Sequence, residues 1–208
     1  MTPTDTVVLR FGDRRLPRAL TTLSCYEAAD ASALDEAVRD ARRVVVAGVD
    51  ADLAAVLTRL MRADRLDVEV AHVPGGPWGW RSARRALTAA AQRVPLIRDD
   101  TGTALVGAAL WLPPSGSDRL EGEAVVDDAV LFDGAAAGVR IEPTRTLPGL
   151  RAAVLSRHPR RWVSGRAAQL GTTGVQIIRD GVAGSREMKR STFYRHTTGW
   201  LQVGAPPA

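Results

Sequence analysis

The chain has 208 residues, 45% of them apolar and 25% charged, a balance that excludes wholesale disorder and allows one good core or two small ones. No apolar run approaches the roughly 20 residues of a membrane-spanning helix, and the N-terminal order of Thr6–Leu9, then Asp13, Arg14, Arg15 and Arg18 is not that of a signal peptide. The net charge of +5 hides an asymmetry: residues 1–144 carry 17 basic and 21 acidic side chains, whereas residues 145–208 carry 11 and 2.

The first half alternates strand and helix signals. Thr6–Arg10 is a short apolar run ending at Gly12. Ser32 followed by Asp35 resembles a capping box opening a helix that carries Leu34, Ala37, Val38 and Ala41 on one face. Arg43–Ala47 is β-branched, too short for a helix and stopped by Gly48, the signature of a buried strand. Leu53, Val56, Leu57, Leu60 and Met61 then recur at helical spacing, and Asp67–Val73 alternates like a strand. After Pro74, Gly75, Gly76 and Pro77, Ser82 caps a further helix with Ala83, Ala86, Leu87 and Ala90. Such alternation predicts a parallel sheet covered by helices over residues 1–94.

From Pro95 onward the pattern changes to short alternating runs divided by Gly, Pro and Asp pairs. Ala104–Leu112, Glu123–Val126, Ala129–Phe132, Gly138–Ile141, Arg151–Leu155, Val175–Arg179, Arg190–His196 and Trp200–Val203 read as strands. Asp99–Gly102 and Asp180-Gly181 read as hairpin turns. Residues 95–208 are therefore expected to form an all-β half, a sandwich or meander.

Cys25 is the only cysteine, so an internal disulfide and a multi-cysteine metal site are excluded. His72, His158 and His196 show no short ligand spacing, and no metal site is expected. No G-x-S-x-G elbow surrounds a serine. The basic C-terminal third contains Arg157, Arg160, Arg161, Arg166, Arg186, Lys189, Arg190 and Arg195. Guanidinium forks suit phosphate oxygens, so this stretch reads either as a phosphate-attracting patch or as a solvated face in an arginine-rich chain.

The segment Val46-Ala47-Gly48-Val49-Asp50-Ala51-Asp52-Leu53-Ala54-Ala55-Val56 resembles the phosphate loop of bacterial diacylglycerol kinases and their relatives. That family reads roughly V-A-G-G-D-G-T-L-N-E-V; Gly48, Asp50, Leu53 and Val56 match, while Val49, Ala51, Asp52, Ala54 and Ala55 depart. Val73-Pro74-Gly75-Gly76 resembles the start of its P-x-G-T-G-N loop, with Pro77, Trp78 and Gly79 replacing the rest. Gly174–Gly181 resembles a late strand and D-G-E turn, with Val182 in place of the Glu, and Gly199–Val203 resembles the closing strand.

The resemblance implies a nucleotide-kinase-like α/β domain at 1–94 and a β-rich domain at 95–208. It implies that Asp50 and Asp180 are candidate catalytic or magnesium-holding residues, and that Trp78 and Trp80 sit at a cleft mouth where they line a pocket or an interface. The residues alone allow Asp50 or Asp52 to be a helix N-cap and Asp180 a plain turn. A glycine-rich loop binds phosphate through bare backbone N–H groups. Val49 and Ala51 cover that backbone, and Asp52 sets a carboxylate where a hydroxyl belongs. The expectation is a pseudokinase needing no cofactor, which binds an anionic lipid, a phosphate-bearing small molecule, a protein partner or a second copy of itself. It would be cytoplasmic, with a place at the inner membrane face under the lipid reading. An active Mg·ATP-dependent lipid kinase is the first alternative; a nucleic-acid-binding module, lacking aromatics interleaved with a recognised motif, ranks last.

Overall fold

The computed structural model describes residues 5–28, 30–75, 79–156 and 161–204. The chain divides into two compact units, one of residues 1–94 with 198–208 and one of residues 95–197. None of the described helices is long and apolar enough to cross a membrane.

The first unit mixes helices with parallel strands. In chain order it contains β1 (Thr6–Arg10), β2 (Ser24–Glu27), α1 (Ala31–Val38), β3 (Arg43–Ala47), α2 (Asp50–Arg62), β4 (Glu69–Val73), α3 (Gly79–Thr88) and β5 (Ala91–Val94). The second unit contains β6 (Ile97–Asp99), β7 (Ala104–Leu105), β8 (Ala109–Leu112), β9 (Leu120–Val126), β10 (Ala129–Ala136), β11 (Val139–Pro143), β12 (Leu150–Val154), β13 (Val163–Gly165), β14 (Ala167–Arg179), β15 (Val182–Ala183) and β16 (Met188–Arg195). The last strand, β17 (Trp200–Val203), returns to the first unit, whose sheet order is β2-β1-β3-β4-β17-β5. This corrects the expectation that all of residues 95–208 belong to the β-rich half. Strand β17 pairs parallel with β4 and antiparallel with β5.

Strand β3 is buried along its whole length because it lies between β1 and β4 and is covered on both faces, which favours a continuous Val run over alternation. The buried residue at its start is Arg43. Its Nε and Nη2 lie 2.6 and 2.5 Å from Glu69 Oε2. Its Nη1 donates to the carbonyls of Ala86 and Leu87, and Nη2 to that of Ala89, at 3.0–3.1 Å. One guanidinium thus satisfies the orphan carbonyls at the end of α3 and places a cation at that helix's negative pole.

Two helix starts differ from expectation. The N-cap of α1 is Asp30, whose carboxylate accepts from Ala33 N at 2.9 Å, and not Ser32. Helix α3 begins at Gly79, so Ser82 lies inside it.

The second unit is built of antiparallel sheets that share β14. On β14, residues 167–171 and 175 pair with β16 and residues 168–172 with β9; residues 176–179 pair with β8, and 178–179 also with β15. The sequence shows only the last five residues of this strand, because Gly171 and Gly174 interrupt the strand signal where the register shifts. The core gathers Trp111, Leu120, Ile141, Leu150, Ile177 and Phe193. The indole N–H of buried Trp111 donates to Ser191 Oγ at 2.9 Å.

The expected strand 104–112 is broken in two. Asp180 and Gly181 form the two-residue turn between β14 and β15, both with positive φ, 48° and 85°. From that turn the Asp180 carboxylate accepts from Val106, Gly107 and Ala108 N at 2.7–3.1 Å, so these three amides face a side chain instead of a strand. Asp99 acts similarly. Fully buried, it accepts from the backbone N–H groups of Thr101 and Thr103 and from Arg179 Nε. On β11 and β12, Glu142 accepts from Arg140 and Arg151, and Arg151 stacks 4.3 Å over the Trp162 ring. Burial alone would raise the Glu142 pKa, but the hydrogen bonds and charges of Arg140 and Arg151 outweigh it and hold the carboxyl below its ordinary value.

Replacing Arg43 with Met leaves Glu69 and three carbonyls without their donor and should cost about 3–5 kcal/mol in urea unfolding. Asp180→Ala should cost about 2–4 kcal/mol and abolish hydrogen-exchange protection at Val106–Ala108. Because the folded pKa of Glu142 is depressed, its stabilisation is complete above the unfolded carboxylate pKa and vanishes as pH falls through the folded value. Melting temperatures from neutral to acid pH should therefore fall less in Glu142→Gln than in the unaltered protein.

Candidate functional site

Strands β1, β3 and β4 run parallel, so their carboxyl ends share one edge of the first unit's sheet. Loops at such an edge are where open α/β sheets bind ligands. Three loops meet this description: residues 11–17, Gly48-Val49 and the segment from Pro74. Gly76, Pro77 and Trp78 lie outside the described residues.

Helix α2 begins at Asp50, and its N-cap is Val49, in extended conformation. Neither Asp50 nor Asp52 is the N-cap, which corrects the sequence expectation. They occupy the first and third helical positions. Valine has no side-chain acceptor, so only half of a capping box forms: Asp52 Oδ2 accepts from Val49 N at 2.8 Å. The carboxylate folds back over Gly48. A Cβ placed on Gly48 would lie 2.4 Å from Asp52 Oδ2 and 2.7 Å from Asp52 Cβ, so glycine is required there for close approach. The amide that a phosphate loop would offer to a ligand is already satisfied from within, and the Val49 side chain, 46% exposed, stands over the loop.

His72, on β4, is the residue that sequence reading missed. Its Nε2 is 3.0 Å from the Gly48 carbonyl, which as an acceptor requires the proton on Nε2. Nδ1 then faces Asp50 Oδ1 at 3.8 Å. His72 ties strand β4 to the loop after β3 through this bond, and its ring lies beside the exposed Asp50 carboxylate. Only its alternate position in the β4 pattern hinted that it faces anything. Ala51 is half-buried in the first turn of α2.

The third loop brings a cation. Pro74 and Gly75 are exposed, and a Cβ on Gly75 would lie 2.6 Å from Arg14 Nη1. The half-buried Arg14 guanidinium therefore lies over Gly75, and its side chain has no hydrogen-bond partner among the described residues. Trp80 is 59% exposed in the first turn of α3, with the Arg81 guanidinium 5.0 Å from its ring centre.

Asp180 belongs to the second unit, where its carboxylate is engaged by three backbone amides. Of the basic patch, Arg157 and Arg160 lie outside the described residues, as does His158. Arg166 and Arg195 are neighbours, joined by Arg195 N to Arg166 O at 2.8 Å, and Arg195 Nη1 donates to Pro148 O. Arg186, Lys189 and Arg190 are exposed near the other end of β16, and at about 3.4 Å per residue Arg190 is roughly 17 Å along the strand from Arg195. Arg161 lines a cavity of about 340 Å³ with Ala129, Val130, Leu131, Val154 and Val163. The positive residues are thus spread along the unit. A second cavity, about 370 Å³, lies between α1 and α2 and is lined by Asp35, Arg39, Arg59, Arg62 and Arg65. Among the described residues, no three His, Cys, Asp or Glu side chains gather to hold a metal ion.

No family model matches the chain. No curated protein matches it either. Solved structures do. A Bacillus anthracis str. Sterne protein assigned as a diacylglycerol kinase superposes with a TM-score of 0.75 at 10% identity, over 99% of each chain. A structure of a diacylglycerol kinase from the same strain gives 0.71 at 11% identity, again over 99% of each. An NAD kinase from Archaeoglobus fulgidus in complex with ATP gives 0.65 at 10% identity, over 95% of this chain and 93% of that one. Across this low identity the chain has the fold of the diacylglycerol kinase and NAD kinase structures.

Proposed function

We propose that this chain is a non-catalytic lipid-kinase-like binding protein, which takes an anionic, phosphate-bearing ligand, a lipid headgroup foremost, through arginine side chains and not through its glycine loop. The observation that carries this reading is the Asp52 carboxylate on the Val49 amide. A phosphate approaching the start of α2 meets Asp50 and Asp52 in the first turn. Each carboxylate repels an anion at ~4 Å by about 1–4 kcal/mol across surface-like dielectrics. The pull of the helix dipole, about 0.3–1 kcal/mol, does not offset two such terms, and the amide it would act through is occupied. The Arg14 guanidinium over Gly75 supplies positive charge at the same sheet edge.

A magnesium ion bridging Asp50 to a triphosphate would reverse this balance, and Asp50 is exposed enough to serve. That is the active-kinase reading, and one titration separates the two. Calorimetry with Mg·ATP at millimolar concentration should give no binding heat for the unaltered protein. Tight, magnesium-dependent binding that weakens in Asp50→Ala would overturn the proposal in favour of a kinase.

A further inference from the structure

Helix α3 buries Ala83 and Ala86 against Leu20 and the neighbouring strands. At 100° per residue, Trp80, Arg81, Arg84, Arg85 and Thr88 fall on the opposite arc, and all five are exposed. The arc therefore presents one indole, three guanidinium groups, a hydroxyl and no carboxylate. The absence of acid extends well beyond the helix: between Glu69 and Asp99 the sequence contains no Asp or Glu, but it contains five arginines. Next to α3, the short 3-10 turn Arg18–Leu20 buries Leu20 in the same cluster as Ala83 and Ala86, and exposes Arg18, with Arg15 exposed just before it. A Cβ on Gly79 would be 3.9 Å from Pro17 Cγ, so the two basic segments adjoin.

We infer that this face, Trp80, Arg81, Arg84 and Arg85 on α3 with Arg15 and Arg18 beside it, docks the first unit on an anionic membrane surface. This deepens the lipid reading given above and rests on it. The occupant follows from the chemistry. Exposed guanidinium groups on an arc that carries no Asp or Glu favour a partner rich in negative charge, and they meet many phosphates at once on a bilayer of acidic lipid. An indole 59% exposed beside them suits the headgroup boundary, where its apolar ring is buried while its N–H stays wet. The helix is ten residues long, about 15 Å, so it lies along the surface and holds by charge and one anchor. A single-stranded nucleic acid calls instead for a groove with successive stacking aromatics, and this face is one side of one helix with one aromatic.

The test is flotation of the full chain with phosphatidylcholine vesicles, with and without about one third phosphatidylglycerol, at low and high salt. The unaltered protein should float with the acidic vesicles only, and high salt should release it. Arg81→Glu/Arg84→Glu should lower the bound fraction about tenfold or more, and Trp80→Ala severalfold, with melting temperatures unchanged because these side chains are exposed. Undiminished binding by the double-Glu variant overturns the α3 face but leaves the lipid reading standing. Failure of the unaltered protein to bind any vesicle overturns both. Binding to neutral vesicles as well as acidic ones, or to nucleic acid in place of vesicles, overturns the docking face.

Discussion

Wherever a strand or helix ends, backbone N–H groups lose their ladder partners and must find others. Aspartate carboxylates answer that demand throughout this molecule. Asp30 serves α1, Asp99 the turn after β6, Asp127 the amides of Arg166 and Ala167, and Asp180 those of Val106, Gly107 and Ala108. Asp52 does the same for Val49. The loop at residues 48–52 is thus closed by the interaction that shapes the rest of the chain. A phosphate-binding loop works because its amides are left bare; a carboxylate three residues away competes for them at the effective concentration of a tethered group. The same covalent closeness that stabilises the start of α2 takes the Val49 amide out of the set this loop could offer.

Carbonyls pose the complementary problem, and arginine meets it. Arg43 satisfies the end of α3, Arg65 the carbonyls of Arg39 and Ala41 after α1, Arg85 that of Gly204 and Arg195 that of Pro148. Much of the arginine content is therefore structural, and overall charge is a poor guide to a binding surface. What distinguishes the α3 face is exposed arginine in a stretch of sequence without Asp or Glu, rather than arginine in number, as along β16.

The parts of the fold that were legible in the sequence are those fixed by local physics. Helix α2 follows from Leu53, Val56, Leu57, Leu60 and Met61 at helical spacing; β3 follows from its β-branched run; the Asp180-Gly181 turn follows from the need for positive φ. The illegible parts depend on partners remote in sequence. Nothing in Trp200–Val203 says that its neighbours are β4 and β5. Nothing in Val106–Ala108 says that a carboxylate more than seventy residues later takes its amides. At the site, the departures at Val49, Ala51 and Asp52 could be read from the loop alone, whereas the fold-back of Asp52 and the bond of His72 to Gly48 depend on how the backbone turns and on a strand more than twenty residues away.

The position of β17 has a consequence for how the chain is assembled. The first unit's sheet has a gap between β4 and β5 until residues 200–203 exist, whereas every residue of the second unit is synthesised before them. Domains fold as units during synthesis, so on the ribosome the order of completion inverts the order of the sequence. The β-rich unit can finish while the α/β unit still carries unpaired strand edges, and the final strand closes the sheet that the first strand began.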